Sequence, residues 1–208
     1  MIVVISDTNY DNHHSEGEYV PSSTKDTMIA GAVALLGRRG MTGTSFGELL
    51  ATTGAPRGSL YHHFPGGKDQ LIGDAAKLVR SRLLDALENA STHSPHEVIK
   101  YFTSLWRRVL SEFDFEVGCA IAAITVDAGP DQPEMLALTG SIFTQWQNAL
   151  AKKLVAAGVS RLQASELALF SLVVVEGALI VCRSHKSLEE FDAVASLLLQ
   201  LSDSFDGL

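Results

Sequence analysis

Apolar residues recur along this chain at three- and four-residue steps, the spacing that gathers side chains on one face of an α-helix. Met28, Ile29, Ala32, Leu35 and Leu36 start the pattern, behind a Ser23 and Asp26 pair with the spacing of a capping box. Gly40 stops that helix. Thr44 is read as the cap of a short second helix bearing Phe46, Leu49 and Leu50, which Gly54 ends. A still shorter helix covers about Arg57 to His63 and closes at Phe64-Pro65-Gly66-Gly67. A fourth, from Lys68 to about Ala90, carries Leu71, Ile72, Ala75, Val79, Leu83 and Leu87 over about six turns.

The second half repeats the period. Ser94 as N-cap, Pro95 at the first helical position and Glu97 at the third are three coincident start signals. Ile99, Phe102, Trp106, Val109 and Phe113 mark the face that follows. Gly118 to Ala128 reads as a short apolar helix stopped by Gly129-Pro130, and Met135, Leu138, Ile142, Trp146, Leu150 and Leu154 line a long one ending at Gly158. Ser160 with Gln163 opens a helix holding the most apolar run of the chain, Leu167 to Cys182, interrupted by Ser171, Glu176 and Gly177. Ser187 with Glu190 opens the last, which bears Phe191, Val194, Leu197, Leu198 and Leu201. No stretch alternates with period two for the length of a strand. The predicted class is all-α, about nine helices.

Composition narrows this picture. With 208 residues, 46% hydrophobic and 19% charged, the chain is long enough for a substantial core and too apolar for disorder throughout. Cys119 and Cys182 supply neither a disulfide scaffold nor metal-ligand spacing, which fits a reducing cytoplasm. Met1 to Ile5 lacks the basic leader and longer apolar stretch of a secretory signal. The Leu167 to Cys182 run is shorter than the roughly 20 residues a bilayer requires and contains a carboxylate, so no membrane partner is expected. A helix apolar around its circumference must be covered on two faces. A partner subunit is the simplest cover.

The net charge of −8 hides an asymmetry. Residues 1–24 carry four acids and no Lys or Arg; residues 25–70 carry five bases against three acids; residues 71–208 carry eleven bases against seventeen acids. Taken whole, the net charge argues against a generic polyanion binder. The one net-positive segment is the one with short helices, the asymmetry to look for in a nucleic-acid binder, but its basic count is too small for electrostatics alone to identify one. The expected organisation is an arm over 1–23, a small domain over 24–70 and a larger one over 71–208. Within the arm, His13 and His14 read as a polar tail rather than a metal site.

The chemistry concentrates between Thr44 and Leu71. Two short helices joined through Gly54-Ala55-Pro56 fit a helix-turn-helix: Gly54 permits the positive φ that ends the first, and Pro56 presets φ for the second. A short second helix suits a major groove about 12 Å wide. Arg57 can bond guanine edges or phosphate, Ser59 offers a small hydroxyl, and Tyr61, His62 and His63 offer hydrogen bonds and stacking. Leu60 and Phe64, four apart, anchor the helix. Thr44 and Lys68, at helix N-termini, suit phosphate contact.

The string from Gly54 to Phe64, GAPRGSLYHHF, followed by Gly67-Lys68-Asp69-Gln70-Leu71, resembles the DNA-binding signature of TetR-family transcriptional repressors. The fuller APRGSLYHHFPGGKDQL is similar to the LmrA/YxaF branch, and Gly118-Cys119-Ala120-Ile121-Ala122-Ala123 falls where that branch has a comparable Gly-Cys segment. The resemblance runs from about Ser23 to Phe205 and is most specific in its first fifty residues. It implies base reading by Arg57, Ser59 and His62 and phosphate holding by Thr44, Tyr61, His63 and Lys68, with Ser45 and Gly58 in the same surface. It further implies a homodimer through the last two helices, for which Val174, Ala178, Val181, Val194, Leu197, Leu198 and Leu201 are the candidates. A ligand cavity in the C-terminal half and repression of a palindromic operator released by a small molecule complete the implied picture. The chain departs from the family in its acidic arm, which has no Lys or Arg for a minor groove.

Candidate pocket residues are Phe102, Trp106, Cys119, Phe143, Trp146, Phe170 and Glu176. Aromatic residues at helical spacing also make ordinary core, while a pocket needs such walls plus a few polar groups. Glu176, in the most apolar helix, requires a partner such as an Arg or a raised pKa. Both cysteines read as small buried hydrophobes. The competing reading is a helical small-molecule binder or enzyme without specific DNA binding. No phosphate loop, nucleophile elbow or metal triad is recognisable, so no catalytic residue, metal ligand or cofactor is assigned. His93 and His96, flanking Ser94-Pro95, read as loop residues.

Overall fold

Glycines, prolines and side-chain caps cut the chain into helices at nearly the positions their chemistry dictates. The computed structural model describes residues 23–205. The arm, apart from Ser23, lies outside the described residues, and His13 and His14 with it. Among the described residues there are nine helices and no strand: α1 (Thr24–Gly43), α2 (Phe46–Thr53), α3 (Arg57–His63), α4 (Gly67–Asn89), α5 (Pro95–Glu112), α6 (Ala120–Asp127), α7 (Pro133–Ala156), α8 (Arg161–His185) and α9 (Glu189–Asp203). The fold is all-α, as the periodicity predicts.

The caps are mostly local. Ser23 Oγ accepts from Asp26 N (3.2 Å) and donates to its carboxylate, and Ser94 Oγ accepts from Glu97 N (3.2 Å) ahead of Pro95. Two starts differ from expectation. The cap of α2 is Ser45, not Thr44, with Oγ accepting from Glu48 N at 3.2 Å. The cap of α9 is Leu188, whose side chain has no acceptor; Ser187 Oγ, one residue earlier, accepts from Glu189 N at 3.0 Å, and Glu190 is engaged by His185 and the Cys182 thiol.

The described chain forms two compact units. The first comprises the chain up to Ala86 together with Ala120–Thr139. In it α1 packs against α2, α3 and α6, over a core that includes Met28, Leu36, Leu49, Leu60, Phe64, Leu71, Ile72 and Ile121. The second comprises Leu87–Cys119 and Gly140–Leu208. There α5, α8 and α9 pack on one another around Ile99, Phe102, Trp106, Trp146, Val175, Leu179 and Phe191. Arg107 grips Asp192 through two bonds (2.7 and 3.0 Å), and His96, which lies in the first turn of α5 rather than in a loop, meets Asp203 at 2.6 Å.

Helix α8 is 25 residues long, well beyond the apolar run inside it, and by length and composition alone could cross a membrane. Its stripe of Leu167, Ser171, Val175, Ala178 and Cys182 is buried in its own unit, while Leu162, Leu169, Phe170, Val173 and Ile180 are exposed. One face is therefore core and the other is left uncovered by the described residues.

Candidate nucleic-acid interface

The turn between α2 and α3 is built as its residues demand. Gly54 takes φ 67° and ψ 10°, and its N–H closes α2 on Leu50 O at 2.9 Å. Pro56, at φ −65°, opens α3. Leu60 and Phe64 are fully buried and fasten α3 to the unit beneath it. Lys25 lies over the Phe64 ring, 5.7 Å from its centroid, and pairs with Asp74 at 3.4 Å. Gln70 closes the far end by accepting from Gly66 N (2.8 Å) and donating to His63 O (3.4 Å).

With that face anchored, the opposite face stands in solvent. Arg57, Gly58, Tyr61 and His62 are exposed, Ser59 and His63 half-buried, and Tyr61 keeps 65% of its surface. A large aromatic left so open on a seven-residue helix is spare contact area rather than core. Its ring stands edge-on to Phe46 (centroids 6.3 Å), which restrains it without covering it. The His62 and His63 rings lie 5.1 Å apart and nearly edge-to-face, and no cluster with metal-ligand potential occurs among the described residues. Lys68 sits in the first turn of α4, half-buried, and Ser45 is exposed at the start of α2.

Thr44 is placed differently from its neighbours. It is 1% exposed and its hydroxyl donates to Gly40 O at 2.7 Å, so its polar atom faces the turn behind it. Gly40 has φ 72° and ψ −176°, and beyond it Thr42 N donates to Asp127 Oδ2 at 2.9 Å. Asp127 went unremarked in the sequence because nothing in helical periodicity links position 127 to position 42. Arg39 pairs with Glu48, tying α1 to α2.

The first unit thus presents Arg57, Ser59, Tyr61, His62 and Lys68 from two adjacent helices, in the layout of a helix-turn-helix. Residues 28–75 match the family described as bacterial regulatory proteins, tetR family, and residues 95–197 match the transcriptional regulator LmrA/YxaF-like C-terminal domain. An uncharacterized HTH-type transcriptional regulator of Mycobacterium tuberculosis is 31% identical over 85% of this chain and 93% of its own. The chain belongs to the TetR family of transcriptional regulators. It is a DNA-binding regulator, and the family is not one of enzymes. Among solved structures, a TetR regulator from Legionella pneumophila superposes with a TM-score of 0.75 at 20% identity, covering 87% of this chain and 98% of that one. The TetR regulator CifR, a cysteine mutant complexed with 26-bp operator DNA, does so at 0.65 and 20% identity, covering 84% and 94%.

In the second unit, Phe102, Trp106, Trp146 and Phe143 form one edge-to-face run with centroids 6.5, 6.1 and 5.8 Å apart. Phe102, Trp106, Trp146 and Cys119 are buried, Phe143 is half-buried, and Phe170 lies on the open side of α8. Glu176 finds a thiol rather than an Arg: it bonds Cys119, and its Oε1 is enclosed without a partner. Burial pushes its carboxyl up to about 7, against the smaller opposing pull of the thiol. Trp106 Nε1 and Ser171 Oγ are also enclosed without partners. Of the candidate dimer residues, Val181, Leu197 and Leu201 are exposed and Val174 and Val194 half-buried, while Ala178 and Leu198 are covered by their own unit.

Proposed function

We propose that the chain is a homodimeric repressor that reads a palindromic operator through paired α3 helices and is released by a small apolar or aromatic molecule. The observation that carries this reading is α3 itself, pinned by Leu60 and Phe64 with Arg57, Tyr61 and His62 in solvent. In this reading Arg57, Ser59 and His62 face base edges, while Ser45, Tyr61, His63 and Lys68 hold phosphates. Thr44 braces the turn behind them. Two such helices enter successive major grooves about 34–36 Å apart, or a multiple of that spacing.

Dimerisation draws support from the open sides of α8 and α9, where Leu162, Val173, Ile180, Leu197 and Leu201 leave apolar surface that a second copy would remove from water. Release by an effector draws support from the second unit. Three enclosed polar atoms without partners, on Trp106, Ser171 and Glu176, lie in the unit that also holds the edge-to-face run of four aromatics, and a ligand could satisfy them. An effector shifts the dimer between operator-bound and released states only by its differential affinity for the two. The division of labour runs with the sequence, DNA contact within 24–70 and effector and partner contact within 71–208. A repressor of this kind acts in the cytoplasm and has no membrane partner.

The test is capture of genomic fragments by the purified protein, then fluorescence anisotropy on the recovered duplexes across a salt series, with sedimentation to count protomers per site. Tight, salt-sensitive binding of one inverted repeat by two protomers is the expected result. Equal affinity for scrambled duplexes would overturn the reading.

A further inference from the structure

The α1–α2 turn is held from outside the helix-turn-helix. At Gly40 the backbone takes φ 72° and ψ −176°, a combination essentially reserved for glycine, and leaves the line of α1 in one step. Beyond the bend, the Thr42 amide donates to Oδ2 of Asp127, the last residue of α6, at 2.9 Å. The same carboxylate fills the space a side chain at position 40 would need: a Cβ built there would lie 2.5 Å from Oδ2. Gly40 O in turn takes the Thr44 hydroxyl at 2.7 Å, Thr44 N reaches Met41 O at 3.3 Å, and the next residue, Ser45, caps α2. One acidic side chain therefore fixes the turn from which α2 starts. Helix α6 packs along α1 in the first unit, although its sequence falls within the stretch matching the C-terminal domain family.

We propose that Asp127 is a positioning residue for operator binding, setting the α1–α2 turn, and through it Ser45 and the start of α2, without touching DNA. The inference rests on the operator-reading surface proposed above. It assigns a DNA-affinity role to a residue 52 positions beyond the end of the tetR-family match at residue 75.

Asp127→Ala removes both the acceptor and the charge, whereas Asp127→Asn removes the charge and keeps a carbonyl acceptor of the same reach. Full-length variants are compared by anisotropy on the captured operator and on an equally long scrambled duplex, across salt. The Ala variant should bind operator about tenfold more weakly with the salt slope unchanged, since the contact disturbed is that of the neutral Ser45 and no Lys or Arg contact to phosphate is lost. The Asn variant should stay within about threefold of the native protein. Hydrogen exchange should show the Thr42 amide protected in the native and Asn proteins and unprotected in the Ala protein. If the Ala chain does not fold, Asp127→Ser, too short to reach the amide, takes its place. Equal shifts in Ala and Asn, or no shift in either, overturn the proposal. Absence of operator preference in the native protein would instead overturn the reading of the DNA surface.

Discussion

Glu176 should make the stability of this protein fall as pH rises through neutrality, and the size of the fall follows from its surroundings. The carboxyl bonds the Cys119 thiol, Oε1 is enclosed without a partner, and burial lifts its pKa from 4.5 to about 7. Between those values the folded chain keeps a proton that the unfolded chain has released. The folded state therefore binds more protons, and raising the pH favours unfolding until the folded group has also ionised. At about 1.4 kcal/mol per pKa unit, the loss is about 3 kcal/mol, complete somewhat above pH 7. Glu176→Gln mimics the neutral acid in shape and cannot ionise. Urea unfolding of both proteins from pH 5 to pH 8.5, at one fixed protomer concentration because a dimer's stability depends on it, measures the difference. The native protein should lose about 3 kcal/mol relative to the variant over that range. Carboxylates held low, such as Asp192 beside Arg107 and Glu190 beside His185, act with the opposite sign but are common to both chains and cancel. Parallel stability curves for the two proteins would refute the reasoning.

Three further outcomes are expected. Arg57→Ala should relax preference at particular operator positions by about 1–3 kcal/mol, whereas Lys68→Ala should weaken binding to every duplex and lower the salt slope by about one, both read by anisotropy. Gly54→Ala should cost about 1–2 kcal/mol in thermal unfolding, since a Cβ there meets nothing within 4 Å and only the left-handed backbone opposes it. Ile180→Asp, on the open side of α8, should leave helical content unchanged by circular dichroism and turn the dimer proposed above into monomer by sedimentation; a stable dimer in that variant would exclude this face from the interface.

What the sequence revealed of this fold was whatever is encoded within a few residues. The Gly54-Ala55-Pro56 turn, the Ser94-Pro95-Glu97 start and the limits of α3 are local signals, and the structure has them where the spacing puts them. Ser45 was legible too: Glu48, three residues on, completes a capping box that Thr44, facing Gly47, cannot. The rest depends on partners far along the chain. On α9, Phe191 and Leu198 point into their own unit while Leu197 and Leu201 face out, and two apolar stripes roughly 100° apart give periodicity no means of saying which meets which neighbour. Glu176 displayed its need for a partner but not its identity, since the thiol of Cys119 arrives from the segment before α6.

The same distinction explains why a net charge of −8 is compatible with DNA binding. Affinity for a polyanion depends on which charges face it, and the exposed side of α3 carries Arg57 with no acid among residues 57–63. Three acids of the first unit are employed close at hand: Asp74 meets Lys25 and Lys77, Glu48 meets Arg39, and Asp127 takes the Thr42 amide. Each of these carboxylates is engaged by a neighbouring cation or backbone amide, which offsets part of its repulsion of phosphate while tying together the helices around the proposed contact residues. In this domain negative charge works as scaffolding for the contact surface proposed above, whose basic residues are Arg57 and Lys68. Removing such an acid should therefore act on the shape of that surface more than on its attraction for DNA, and the Ala–Asn comparison at position 127 separates those two effects.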